Sequence, residues 1–472
     1  MPTHNINIPD TATKQLAIQS CSAGRKLTVS TNWLILFGFV QGAEVVEELI
    51  GEGKGIIVRL ANSSDTKKKK VYTRTYTSRR NNPLETQLDI RSQSLLDRAI
   101  PAETKNVHIT FSHGKVTIRP ITSRQAKRIH LAKSASNLLS AFVACSSGVD
   151  ATGLYNEGFR IDAALEWRPN ERRDNRDLSE TGALNFISNV PVKHLINEDI
   201  GEVNVDAVAQ LVSASKTSLL SISLQCDEFS NVKAKSLKER SLEDLSTSSD
   251  MVYDALKIIE MSNFPFVLLE QVSGFMTSEA YAILETKLRK WGYSVHKSVM
   301  DARDYTGNTS RKRFFMFATS FDTPFAWPEL SERRTAPIWD EFIAPALPRL
   351  RDVTHSKSIQ DGAACGRLRV INSESTCSPT FLKSQDRMAK DSVVVEHEGR
   401  YYFPDVQLMQ DLMSIPSSFS TDAVSLSQAS EIIGQSIDFA NHSLILHSVK
   451  RHVELVAASL HGRKQLSMAL SA

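Results

Sequence analysis

Apolar runs of strand length recur along residues 136–327, at Leu138–Ala144, Ile161–Leu165, Leu219–Ile222, Phe266–Leu269 and Phe314–Phe317, with helix-length segments between them. That alternation predicts an α/β domain built on a doubly wound sheet, with ligands held at the strand ends. No internal repeat competes with the pattern. At 472 residues the chain exceeds what one hydrophobic core usually organises, so two or three domains are expected.

The opening residues, MPTHNINIPD, lack a basic start followed by an apolar stretch, and the densest apolar run, Trp33–Val40, is too short to span a bilayer. The expected setting is therefore intracellular, cytoplasmic or nucleoid-associated, with no membrane partner. The five cysteines, Cys21, Cys145, Cys226, Cys365 and Cys377, form no CxxC pair, which argues against a disulfide framework and against a metal site of the usual zinc spacing. Thiol chemistry or packing is left.

Charge divides the chain. Residues 1–135 hold 21 Lys plus Arg against 10 Asp plus Glu, a net of +11, so the remainder holds 35 against 43, a net of −8. A basic excess confined to one module points to a polyanion partner or to an ordinary solvated surface. Residues 26–60 read as short β segments around Trp33–Phe39, a helix is expected over Leu88–Ile100 before Pro101, and a hairpin over Val107–Ile118 turns at His113-Gly114. The stretch LTVSTNWLILFGFVQGAEVVEELIGEGKGIIVRL weakly resembles the small AbrB-like and SymE-like DNA-binding domains. Residues 1–125 are thus expected to form a β-rich module that binds DNA or makes a homodimer.

A nucleotide-binding α/β fold needs a tight turn after its first strand and an acidic residue after its second to hold ribose hydroxyls. Ala144-Cys145-Ser146-Ser147-Gly148 supplies a small-residue turn, Glu166 ends the second apolar run, and Trp167 offers a flat surface for an adenine. Directly after the third run comes Leu224-Gln225-Cys226-Asp227-Glu228-Phe229-Ser230, which sets a thiol at a strand's C-terminal end. A lone cysteine is more often a small buried hydrophobe than a nucleophile, so position alone decides little.

In order, these segments resemble the cytosine carbon-5 methyltransferase family over most of residues 138–455. The 142–148 stretch is similar to the family's cofactor loop, and Gly158-Phe159, Glu166 and Asp199-Ile200 follow in family order. The nucleophile segment, usually Pro-Pro-Cys-Gln-x-Phe-Ser, retains Cys226 and Phe229-Ser230. Phe266–Phe275 resembles the strand ending in Glu-Asn-Val, with Glu270 as the match and Gln271 in place of Asn. The region ending Gln-x-Arg-x-Arg is matched by Thr309 to Arg313, with Thr309 for Gln and both Arg311 and Arg313 kept. Leu408–Phe419 and Ile433-Gly434-Gln435-Ser436-Ile437 are similar to the last two family segments, Gln435 standing where Asn is usual.

The resemblance implies a Rossmann-like, S-adenosylmethionine-dependent DNA (cytosine-5-)-methyltransferase that flips its target base and forms a covalent cysteine adduct. It implies that Cys226 is the nucleophile, that Glu270 shares a proton with ring nitrogen 3, and that Arg311 and Arg313 hold the base, its phosphate or Glu270. The implied cofactor contacts are Phe142, Ser146, Gly148, Glu166, Trp167, Asp199, Ile200, Gln435 and Ser436. The catalytic domain would comprise residues 136–327 and 406–460, with 328–405 as a target-recognition region. There Arg349, Arg351, Arg367, Arg369, Lys383, Arg387 and Lys390 are candidate DNA contacts. Asp227 and Glu228 beside the nucleophile disfavour a thiolate unless they point elsewhere or Arg311 offsets them. Two other readings stand beside this one: a degenerate methyltransferase fold serving as a DNA-binding regulator, and an enzyme acting on RNA.

Overall fold

The computed structural model describes residues 7–22, 24–78, 84–171, 173–230, 233, 235–245 and 247–470. The chain forms two units, Met1–Ala126 and Lys127–Ala472.

In the second unit each apolar run of the sequence forms a strand, the first only from Ser140 onward. The sheet comprises β1 (Ser140–Ala144), β2 (Arg160–Leu165), β3 (His194–Ile196), β4 (Leu219–Ile222), β5 (Phe266–Val272), β6 (Ser294–Asp301) and β7 (Lys312–Thr319). Their order is β3-β2-β1-β4-β5-β7-β6. β1 to β5 run parallel, and β7 pairs antiparallel with both β5 and β6. One face packs Phe142, Leu220, Val267 and Phe314 against the flanking helices. The other packs Val143, Leu219, Leu268 and Phe315 against Ile445, Leu446 and Val449 of the long C-terminal helix Phe439–Leu470. Chain order reverses between β1 and β4, and such a switch point opens a crevice at the carboxyl ends of the strands. β6 has no counterpart among the apolar runs because it is an edge strand with only partial burial.

Within residues 328–405 the short strands Arg351–Asp352, Arg369–Ile371, Val393–His397 and Arg400–Phe403 make a four-stranded sheet. Ile371, Val393 and Val395 share one core with Leu408 and Met409 of the helix Val406–Leu412 and with Ile432 and Ile433 of the helix Leu426–Gln435. Gly434 allows the second helix close approach, since a Cβ there would lie 2.2 Å from the Leu382 carbonyl oxygen.

The first unit is a six-stranded and a four-stranded sheet around a shared apolar core. The hairpin expected over Val107–Ile118 is present as Asn106–Ser112 paired with Lys115–Ile121. Two expectations need correction. Trp33–Leu36 is a helical turn, with Leu34 and Phe37 buried three apart and Ile35 exposed, because an unbroken apolar run fits either period. Leu84–Ile90 is a strand followed by the helix Gln93–Ala99: Leu88 and Ile90 are buried in alternation with the less buried Gln87 and Asp89. In the lysine run, Lys68 and Lys69 pair with Glu44 and Glu47. Among the described residues no helix is long and apolar enough to cross a membrane.

Phe266 is fully buried, with the rings of Phe317, Phe321 and His452 around it at 6.2, 5.6 and 5.8 Å. Phe266→Ala should therefore cost about 3–5 kcal/mol, read as a lower denaturant midpoint for the second unit.

Candidate active site

A cavity of about 510 Å³ opens at the carboxyl ends of β1, β2, β4 and β5. Its back is the turn after β1. Cys145, Ser147 and Gly148 all have positive φ, at 60°, 52° and 98°. Such backbone is strained for the first two and persists only where surroundings fix it. A Cβ on Gly148 would also come within 3.0 Å of Phe186 Cα. Glu166 Oε1 accepts from Ser146 N at 2.8 Å and Ser147 N at 3.1 Å, while Asn185 Nδ2 donates to Ser147 O at 2.8 Å. Burial pushes the Glu166 carboxyl up to about 7, against the pull of those two N–H groups.

The thiol stands across this cavity, in the loop after β4. Phe229 N and Ser230 N both donate to Cys226 O at 3.0 Å, and Phe229 packs edge-on against Phe275 at 4.8 Å. Gln271 Nε2 donates to Leu224 O at 2.8 Å, which ties the start of the loop to β5. Glu228 turns to Lys233 at 2.5 Å and Ser241 Oγ at 2.9 Å, so its charge is answered locally. Asp227 lines the cavity and accepts from Gln225 Nε2 at 3.0 Å. Burial, then Asp227, push the Cys226 thiol up, while Arg313 and Arg311 favour its thiolate.

On β5, Glu270 forms an ion pair with Arg313 at 3.0 Å. Burial pushes its carboxyl up, and Arg313 and then Arg311 oppose that push. Arg311 is 1% exposed; its Nη1 donates to Phe381 O at 2.9 Å, and its Nε and Nη2 have no partner among the described residues. Burial brings its guanidinium down to about 9. Thr309 donates to Asp438 at 2.6 Å, and burial pushes Asp438 up to about 6.

Of the residues singled out in the sequence, Cys226, Glu270, Arg313, Ser146, Glu166, Trp167, Asp199, Ile200, Gln435 and Ser436 line this one cavity. Phe142, Gly148 and Arg311 do not. Alternate residues of a strand face opposite sides, and Phe142 is directed into the core against Phe264, with ring centroids 6.0 Å apart. Gly148 shapes the turn, and Arg311 is buried. Sequence reasoning missed Asp150, Ser223 and Glu431 as lining residues. It read Gln271 only as a departure from a motif, although its place beside Glu270 was the signal. In residues 328–405, Arg349 pairs with Asp405 at 2.7 Å, Lys390 with Asp361 at 3.0 Å, and Arg387 with Glu171 at 2.7 Å, so these cations already have intramolecular partners.

Arg168 locks one wall, bonding Asp174 at 2.6 Å and Glu431 at 3.0 Å while 9% exposed. Arg173 and Lys383 also reach Glu431, at 3.1 and 3.4 Å. Removing Arg168 would take the shared cation from Asp174 and Glu431, although Arg173 and Lys383 would still answer Glu431. Arg168→Ala should lower the denaturant midpoint of the second unit clearly more than Arg349→Ala at the exposed Asp405 pair, which should cost roughly 1 kcal/mol or less.

Residues 145–401 match the sequence profile of C-5 cytosine-specific DNA methylases. No curated protein matches the chain in sequence. Among solved structures, the Entamoeba histolytica methyltransferase EhMeth aligns over 66% of this chain and 98% of its own, at 12% identity and a TM-score of 0.51. The S. pombe Dnmt2 methyltransferase aligns over 67% and 98%, at 15% identity and a TM-score of 0.48. The likeness to EhMeth speaks for a shared Rossmann-like fold, and the profile covers more than half of the sequence. The chain belongs to the C-5 cytosine-specific DNA methylases and is a DNA cytosine methyltransferase.

Proposed function

We propose that the protein methylates carbon 5 of cytosine in DNA, with Cys226 as nucleophile and Glu270 as the proton partner of ring nitrogen 3. The observation that carries this reading is convergence: Cys226, the Glu270–Arg313 pair and the turn held by Glu166 share one cavity. The family and fold imply S-adenosylmethionine, and the residues fit it. The cavity wall carries Asp150, Glu166, Glu198, Asp199 and Asp254, an acidic lining suited to a cationic cofactor. Glu166 would hold the ribose hydroxyls, Trp167 and Ile200 the adenine faces, Asp199 its amino group, and Gln435 with Ser436 the amino-acid end. When bound, S-adenosylmethionine supplies an electrophilic methyl group.

Carbon 5 is a poor nucleophile until the 5,6 double bond is polarised. The Cys226 thiolate forms a bond to carbon 6, and the displaced electron pair moves toward carbon 5 and nitrogen 3. Glu270, whose carboxyl burial pushes up against the pull of Arg313, gives nitrogen 3 a proton and holds that edge of the ring. Arg313 and Arg311 stabilise the sulfur anion before it adds. After methylation, the carbon 5 proton passes to solvent, its electron pair re-forms the 5,6 double bond as the carbon 6–sulfur bond breaks and restores the Cys226 thiolate, and nitrogen 3 returns its proton to the Glu270 carboxylate. A base within a duplex cannot reach Cys226, so the target is extruded at a cost of about a few kcal/mol, offset by backbone contacts from residues 328–405 and the basic first unit.

Expression in a host lacking cytosine methylation, with base-resolution mapping of 5-methylcytosine, tests this directly. The wild type should mark a defined context and Cys226→Ala should mark nothing; marks that persist in the variant would remove Cys226 from the mechanism.

The raised Glu166 carboxyl adds a pH signature. A ribose hydroxyl donates best to the carboxylate, whose fraction falls as pH drops through about 7. S-adenosylmethionine affinity should weaken roughly tenfold between pH 7.5 and pH 6 by calorimetry. In Glu166→Gln binding should be weaker throughout and flat across that range.

A further inference from the structure

On the sheet face that carries Glu270, the helix Val149–Asn156 and the C-terminal helix bury a polar pair that takes no part in the proposed steps at the base. Asp150 is 4% exposed and His442 1%. Asp150 Oδ1 lies 2.5 Å from His442 Nε2, and Asp150 Oδ2 accepts from Ser221 Oγ at 2.7 Å. His442 Nδ1 is buried with no partner among the described residues. Both groups adjoin Glu270 through the sheet. Ser221 pairs with Leu268, two residues before Glu270 on β5, so the three side chains project from one face. Glu270 pairs across to Phe315, whose ring lies 6.0 Å from that of His442. Asp150 also lines the cavity.

A carboxylate and an imidazole cost desolvation at a helix contact where apolar side chains would pack more cheaply. We propose that Asp150 and His442 form a positioning pair that sets how readily Glu270 holds its proton, and with it the pH range of methylation. This rests on the reading of Glu270 as the proton partner of the base. The charged and titratable groups that act on Glu270 are Arg313 on β7 and Arg311 just before it, His442 on the C-terminal helix, Asp150 on the helix after β1, and Cys226 on the loop after β4. Burial is the largest influence on Glu270; Arg313, Arg311 and His442 act against it, and Asp150 reinforces it.

The two members therefore pull in opposite senses. Asp150→Asn removes an anion, so Glu270 should release its proton at lower pH. His442→Gln keeps a donor toward Asp150 and removes the imidazole, so Glu270 should keep its proton to higher pH.

The experiment is the pH dependence of single-turnover methylation of unmethylated plasmid DNA by the full chain, with S-adenosylmethionine affinity measured on the same preparations. The alkaline limb should move down in Asp150→Asn and up in His442→Gln, each by about half a unit or more, with the double variant near wild type. Equal losses of rate with an unmoved limb would make the pair structural and overturn the proposal. If one variant fails to fold, the other alone reads the sign, and a limb that stays put or moves the opposite way overturns it. Glu270→Gln separates the two levels of the argument: an inactive variant leaves the pair under test, whereas a wild-type rate removes Glu270 from the chemistry and the pair's role with it.

Discussion

Two backbone N–H groups, those of Ser146 and Ser147, converge on one oxygen of Glu166, and the shape of the active-site crevice follows from that contact. The turn they belong to has left-handed backbone at Cys145 and Ser147, a conformation costing roughly 1–2 kcal/mol per residue for L-amino acids. It holds because β2 ends with a carboxylate in register to receive the N–H groups, and because Asn185 takes the Ser147 carbonyl from behind. Sequence dictates this locally: one glycine and two serines leave room for the chain to double back from β1 into its helix. The same carboxylate is thus the brace of the turn and, in the proposed function, the group that receives the ribose.

Charge organises the rest of the cavity. Burial pushes both the Cys226 thiol and the Glu270 carboxyl up, and Arg313 and Arg311 oppose that push at each. The thiol and the carboxyl are therefore poised by the same two guanidinium groups. Arg311 is held in a setting so dry that its own charge is disfavoured, with two nitrogen atoms left without partners. Glu228, which threatened the thiolate on paper, is turned to Lys233, whereas Asp227 remains in the cavity and acts against the thiolate.

The catalytic sheet was legible because its inner strands are buried on both faces and so read as unbroken apolar runs. Strand β6 was not, since this edge strand is only partly buried and His296-Lys297-Ser298 interrupts its apolar residues. In the first unit, Trp33–Leu36 failed for a related reason: a short apolar run carries no period of its own. At the site, the sequence motifs pointed to one cavity, while Asp150 and Ser223 beside those motifs and Glu431, brought in by tertiary contact, were passed over. Glu166 and Glu270 ended strands that could be seen. Phe142 was expected among the cofactor contacts, yet its ring is buried in the core, because which way a strand residue faces depends on register. Asp150 and His442 lie 292 positions apart in sequence, and nothing short of the fold brings them together.

The central claim is that Cys226 forms a covalent bond to carbon 6 of the target base. Intact-mass analysis of the full chain incubated with S-adenosylmethionine and DNA containing 5-fluorocytosine tests it most directly, because fluorine at carbon 5 prevents the elimination that frees the sulfur. The account predicts a stable protein–DNA adduct mapping to the peptide that contains Cys226 and absent from Cys226→Ser. No adduct from wild-type protein that binds both cofactor and DNA, or an adduct that survives the substitution, would contradict it.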